Sequence, residues 1–229
     1  LLIGINDYAD DYIMDLEFAH NDVLSIRDML TEKFDFLPDQ IRTLLDQDAT
    51  LQNIRNAITE FYSKGENTRV FVYFAGHGET VKLNNSQEMG FLVPYDGDLS
   101  SESTIHKTCL PMSEMGGFSQ YLPSRNILYM IDACYGGLAA MNPRSGAEYG
   151  VSFIDKMMSS KSRQIITAGG KNERVVERSS LQHSVFTKVL LDGLKNRLAD
   201  LDNDGIIPAS ELYVYLKKQV SAYTYNMQT

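Results

Sequence analysis

Two short segments carry residues able to do covalent chemistry: Tyr73-Phe-Ala-Gly-His77-Gly78-Glu79 and Ile131-Asp132-Ala-Cys134-Tyr-Gly136-Gly137. Each follows an apolar run that reads as a buried strand, so a histidine and a cysteine stand at two strand ends, where open α/β sheets present reactive groups. A thiol near its free pKa of about 8.5 is only a few per cent thiolate at neutral pH, and a neighbouring imidazole both raises that fraction and later protonates a leaving amine. The pair therefore predicts a cysteine–histidine dyad, with Cys134 as nucleophile and His77 as base and acid. The backbone N–H groups of Gly78 and Cys134 are the expected oxyanion donors, a contribution of about 3 kcal/mol per donor in acyl transfer. Gly76, Gly78, Gly136 and Gly137 are expected to supply the positive φ of sharp strand-exit turns and to let backbone approach a substrate.

A second constellation is Asp200-Leu-Asp202-Asn-Asp204-Gly205-Ile206-Ile-Pro-Ala-Ser-Glu211. It matches a twelve-residue calcium loop, with oxygen ligands expected from Asp200, Asp202, Asp204, the Ile206 carbonyl and Glu211, and glycine at position 6 for the turn. Ile207 would pack inward between flanking helices. Pro208, at position 9, brings no side-chain oxygen and should weaken the site. The same residues also read as a capped helix entry that needs no metal.

The elements that must position these residues alternate between strand and helix patterns, which predicts a mainly parallel sheet of about six strands covered by helices on both faces. Strands are expected at Leu1 to Ile5, Ile41 to Leu45, Arg69 to Phe74, Asn126 to Ile131 and Arg163 to Thr167. Helices are expected over about 16–34, Leu51 to Tyr62 with Thr50 as N-cap, Met112 to Tyr121, Ser184 to Leu198 and Ala209 to Val220. A short hairpin is placed near Gly90-Phe-Leu-Val-Pro94. Gly136 to Gly146 combines Gly, Pro, Asn and Ser and reads as an exposed loop. His20, His106 and His183 lack metal-ligand spacing and read as surface or helix-start residues. Glu79 reads as solvent-facing, and Glu173 and Glu177 as residues that approach a substrate pocket from the loop after Ala168-Gly-Gly170.

The 229 residues suffice for one sizeable α/β core, and 43% hydrophobic with 22% charged residues is ordinary for a soluble globular chain. A single domain over residues 1–229 is expected. The formal charge of −9 argues against nucleic acid or anionic membrane as the main partner and suits basic substrates. Cys109 and Cys134 are too few for a disulfide framework, which favours a reducing cytoplasm. No apolar stretch approaches the roughly 20 residues of a membrane span. Beginning without methionine inside a strand, the sequence reads as a domain cut from a longer protein, with regulatory domains or partners outside it.

Taken as a set, the His-Gly step after Val-Phe-Val-Tyr-Phe and the Asp-Ala-Cys-x-Gly after Asn-Ile-Leu-Tyr-Met-Ile resemble the caspase-like cysteine peptidases of the metacaspase and bacterial caspase-homologue branch. So do Leu2-Ile-Gly-Ile-Asn6, Asn21-Asp22, Ser162-Arg-Gln-Ile-Ile-Thr-Ala-Gly-Gly170 and His183-Ser-Val-Phe-Thr187, so that the resemblance covers nearly the whole chain. It implies the caspase-like α/β fold and cysteine endopeptidase activity that needs no cofactor for its chemistry; similar Asp-rich loops in bacterial caspase homologues leave the 200–211 loop either a calcium site or a capped helix entry without metal. True caspases carry Gln-Ala-Cys-x-Gly, and Asp132 stands where that glutamine would be. The stretch Met14-Asp-Leu16-Glu17 offers no arginine for an acidic P1 residue. Asp22 and Asp132 fall on the positions where metacaspase-like relatives line the pocket with carboxylates, which implies Arg or Lys at P1, held by charge-assisted hydrogen bonds. Ala75 occupies a position where relatives often carry serine, so one polar pocket contact is expected to be missing. Arg144, in the loop after Cys134, is the candidate self-cleavage site, ahead of Lys156, Lys161 and Arg163. The rival expectation is a non-catalytic caspase-like module that responds to calcium and serves in signalling.

Overall fold

The computed structural model describes residues 1–82, 88–133, 162–169, 175–225 and 227–228. Cys134, Gly136, Gly137, Arg144, Lys156, Lys161 and Glu173 lie outside the described residues.

In chain order the elements are β1 (Leu2–Gly4), α1 (Ala19–Lys33), β2 (Thr43–Leu45), α2 (Leu51–Thr59), β3 (Arg69–Ala75), β4 (Gly78–Lys82), β5 (Glu88–Leu92), α3 (Glu102–Thr108), β6 (Leu110–Pro111), α4 (Met112–Tyr121), β7 (Asn126–Asp132), β8 (Ser162–Thr167), β9 (Glu177–Arg178), β10 (His183–Ser184), α5 (Val185–Lys195) and α6 (Ala209–Tyr223). The central sheet has the order β2-β1-β3-β7-β8 and every pairing in it is parallel. Among the described residues it therefore has five strands where about six were expected. Two small antiparallel sheets accompany it, β4-β5-β6 and β9-β10.

Strand alternation divides the core into two layers. Val70, Val72 and Phe74 of β3 and Ile127, Tyr129 and Ile131 of β7 pack with α2, Ile105 of α3, and Met112 and Met115 of α4. Tyr73 and Ala75 of β3 and Met130 of β7 face the other way, onto α1, α5 and α6. A parallel sheet buried on both faces needs near-continuous apolar strands, and β3 from Val70 to Ala75 and β7 from Ile127 to Ile131 are such runs. Asp132 continues the alternation of β7, and its contacts with the start of α5 put it on the layer of α1 and α5.

Local signals account for the helix starts. The Thr50 hydroxyl accepts from the Asn53 N–H and the Ser184 hydroxyl from the Thr187 N–H, each satisfying an orphan donor of the first turn. Helix α1 lies close on β1 because Gly4 has no side chain; a Cβ there would sit 2.7 Å from Val23 Cγ2 and 2.8 Å from the Ala19 carbonyl oxygen. That approach brings the first turn of α1, with Asp22, over the sheet. No helix among the described residues is long and apolar enough to cross a membrane.

Candidate active site

The strand order reverses between β1 and β3, and the crevice beyond the carboxyl ends of those strands is where open α/β sheets bind ligands. His77 sits there, two residues past β3. Its ring Nε2 lies 2.6 Å from the carbonyl oxygen of Met14, in the segment that follows β1. A carbonyl only accepts, so Nε2 carries the proton and Nδ1 is left as the basic nitrogen. The His77 backbone N–H donates to the Tyr8 hydroxyl oxygen at 2.7 Å, and the Tyr8 ring lies 5.2 Å from the imidazole, tilted by 35°. Burial pushes the Tyr8 phenol well up, so it stays a neutral hydroxyl. Both ends of the histidine are therefore held by the β1 loop.

The register of the neighbouring strand bears on the cysteine. Ala75 of β3 pairs with Asp132 of β7, and the Gly76 N–H donates to the Asp132 carbonyl at 3.2 Å. His77 follows its member of that pair by two residues, and in the sequence Cys134 follows the other by two. Two parallel strands leaving the sheet side by side thus carry histidine and cysteine at equal offsets.

The expectation of positive φ at the strand exit needs correction for the described glycines. Neither Gly76 nor Gly78 takes it; Gly205 is the one described glycine that does. Gly76 is required by space, since a Cβ would lie 3.0 Å from the Phe74 ring and from the Tyr8 hydroxyl. Gly78 opens β4, in register with Leu92. Glu79, in β4, turns its carboxylate to the Thr80 N–H at 2.7 Å.

Asp22 and Asp132 meet on the α1/α5 layer, both buried. Asp22 Oδ1 lies 2.6 Å from His183 Nδ1, and its Oδ2 accepts the Ser184 N–H at 3.3 Å. Asp132 Oδ2 accepts the Ser184 hydroxyl, the Thr187 hydroxyl at 2.6 Å and the Tyr73 phenol at 3.4 Å. Asp132 Oδ1 has no partner among the described residues, though it is buried. Desolvation, reinforced by the nearby Asp22 charge, raises the Asp132 carboxyl to about 7. Burial likewise raises Asp22, against the opposing pull of its bond to His183. A buried carboxylate with an unpaired oxygen is an acceptor short of a donor.

The sequence reading missed His183, Ser184 and Thr187 as members of this cluster. The signal was present, because the segment pairs an N-cap serine with a threonine three residues on, at a helix start next to apolar positions. Glu177 is placed by the structure at the entrance of α1, where its carboxylate accepts the N–H groups of Glu17 and Phe18, each at 3.1 Å. His20 also departs from a bland surface role: its Nε2 lies 2.8 Å from Asp46 Oδ1. His106 stacks edge-on against Phe91.

In the 200–211 loop, carboxylate oxygens of Asp200, Asp202 and Asp204 lie within 4.8 Å of one another. Their oxygens accept from the loop's own backbone, including Gly205 N–H to Asp200 at 3.0 Å and Ile206 N–H to Asp204 at 2.8 Å. Gly205 has φ +88, as the turn at position 6 demands. Glu211 is not in that group; its Oε2 accepts the Leu201 N–H at 2.7 Å. Ile207 packs toward the α5/α6 core as expected. Three converging carboxylates fit a hard cation, with Glu211 and the Ile206 carbonyl left to complete the set.

A family model described as the caspase domain matches residues 1–229. The crystal structure of protein GSU0716 from Geobacter sulfurreducens is similar over 86% of this chain and 81% of that one, with a TM-score of 0.59 at 18% identity, a likeness of fold. The curated proteins include no match to the sequence.

Proposed function

The chain belongs to the caspase-domain family, and from that premise we propose that it is a cysteine endopeptidase that cleaves after Arg or Lys by a Cys134–His77 dyad. The observation that supports this reading is the register pair Ala75–Asp132, because His77 follows the first and Cys134 the second by two residues in the sequence. His77 Nδ1 takes the proton of the Cys134 thiol as sulfur attacks the peptide carbonyl, forming a tetrahedral oxyanion held by the Gly78 and Cys134 N–H groups. The proton then passes from Nδ1 to the leaving amine, and the C–N bond breaks. Water, deprotonated by the same nitrogen, hydrolyses the thioester and releases the thiol.

The basic P1 side chain finds its partners in Asp22 and Asp132. Asp132 stands two residues before the nucleophile in the sequence, and its Oδ1, without a partner among the described residues, gains a charge-assisted bond from a guanidinium or ammonium. Arriving positive charge also lowers the proton affinity of a carboxyl that burial has raised to about 7, so substrate completes the ionisation of its own pocket. The partners are thus proteins or peptides with accessible basic residues, and Arg144 is the candidate site for self-processing. The 200–211 loop is proposed to take calcium weakly, away from the reacting groups, with no part in the bond chemistry. Hydrolysis of peptides differing only at P1 tests the reading; silence on all of them in a folded protein favours a non-catalytic interaction module.

A further inference from the structure

One buried amide stands behind the partners of the two carboxylates. Gln228 is 0% exposed and follows the end of α6, where its N–H donates to the Thr224 hydroxyl oxygen at 3.1 Å. Its side chain bridges two other parts of the chain. Nε2 donates to the Ala168 carbonyl at 2.8 Å, just past β8, and Oε1 accepts the Val176 N–H at 3.2 Å, just before β9. A carbonyl only accepts and an N–H only donates, so these two partners fix which end of the amide is which. Both bridged residues sit one step from the pocket. The Ala168 N–H donates at 2.8 Å to the carbonyl of Ile131, the neighbour of Asp132 in β7. The Val176 carbonyl accepts the Val185 N–H at 2.8 Å, directly after Ser184, and Glu177 of β9 is in register with Ser184 of β10. Ser184 in turn gives its N–H to Asp22 and its hydroxyl to Asp132. On its other side β9 is tied to α1, since the Glu177 carboxylate accepts the Glu17 and Phe18 N–H groups.

We propose that Gln228 is a positioning residue for this pocket, which sets the preference for a basic P1 side chain by locking β9 against the end of β8. The lock acts through Ser184. With both amide bonds made, β9 and β10 are fixed against β7, and the Ser184 N–H and hydroxyl hold Asp22 and Asp132 at one spacing for an incoming cation. Without them, two buried backbone groups, the Ala168 carbonyl and the Val176 N–H, lose their partner, and β9 moves to recover one. Charge-assisted hydrogen bonds weaken steeply with distance and angle, so a small displacement of Ser184 costs a cationic side chain about tenfold in preference. A neutral side chain of the same length makes no such bonds and is affected less.

The inference rests on the reading of Asp22 and Asp132 as the basic-P1 pocket of a peptidase, and its test separates the two. The measurement is kcat/KM, at pH 8 throughout, for two peptides identical except for Lys or norleucine at P1, in wild type, Gln228→Met and Gln228→Asn. Methionine keeps the length of the side chain and loses both bonds. Asparagine keeps the amide but is one methylene too short to span both partners, so the two variants remove the bridge in different ways and either one suffices if the other does not fold. The Lys/norleucine ratio does not depend on the fraction of folded enzyme, so a purely structural role lowers Tm and leaves the ratio where it was. We expect the ratio to fall about tenfold in both variants, with the loss in KM for the Lys peptide and not in its kcat. An unchanged ratio in a wild type that prefers Lys overturns the inference while leaving the peptidase intact. A wild-type ratio near one fails the basic-P1 reading and the inference with it. If wild type cleaves neither peptide the peptidase reading fails, and the pocket is tested without turnover by calorimetry of butylguanidine binding. Binding about tenfold weaker in Gln228→Met than in wild type upholds the inference; equal affinity, or no binding to wild type, overturns it.

Discussion

Asp22 and Asp132 are joined through one residue: Ser184 gives its backbone N–H to the first and its hydroxyl to the second. Two carboxylates so buried and so close cannot both ionise cheaply, and the burden falls on Asp132, raised to about 7. Folded, this carboxyl binds its proton more tightly than the unfolded chain does at its ordinary value of ~4. Between those values the folded state holds the extra proton, so stability is fully present below pH ~4 and falls as pH rises through about 7. Asp132→Asn removes this cost while its amide oxygen still accepts from Ser184 and Thr187. We expect the variant to melt higher than wild type at pH 8, by an amount on the order of 4 kcal/mol at most, and the gap to shrink toward pH 5. Basic-P1 cleavage should be lost. Thermal denaturation at the two pH values is the check.

Ser184→Ala removes both the N-cap acceptor of α5 and a donor to buried Asp132. A lost cap costs about 1 kcal/mol and an under-bonded buried carboxylate about 1–3 more. At roughly 2–4 °C per kcal/mol for a chain of this size, a fall of about 4–16 °C in Tm is expected. Ser184→Thr should recover most of it.

Tyr8→Phe leaves the N–H of His77 without its 2.7 Å acceptor and keeps the ring beside the imidazole. The expected result is a kcat about tenfold lower with KM nearly unchanged, since the loss is in the aim of the base and not in substrate contact. Steady-state kinetics on a Lys-P1 peptide separates the two constants.

These contacts explain where sequence reading reached and where it stopped. Strands β3 and β7 were legible because burial on both faces forces unbroken apolar runs, and α4 because its bounds carry Pro111 on one side and Leu122-Pro123 on the other. Strand β4 was missed: Gly78-Glu79-Thr80 looks like a loop, and only pairing with β5 makes it a strand. Helix α3 was missed although Ser101 caps it, because seven polar-rich residues show little periodicity. The Asp22–His183 contact joins α1 to β10 across most of the chain, and no local pattern encodes such a meeting.

Calorimetric titration with calcium examines the Asp200 loop. Three carboxylates converge there, but Glu211 serves the Leu201 N–H and position 9 is Pro208. Binding is expected in the weak range of about 10⁻⁴–10⁻³ M, abolished by Asp200→Ala. Absence of binding at millimolar calcium identifies the loop as a capped helix entry.

The most direct test of the central claim is hydrolysis of fluorogenic peptides with Arg, Lys or Asp at P1 by wild type, Cys134→Ala and His77→Ala. The account predicts Arg and Lys cleavage by wild type, no Asp cleavage, and a loss of about 10³-fold or more in either variant. Cleavage after Asp, or cleavage after Arg and Lys that survives Cys134→Ala, would contradict it.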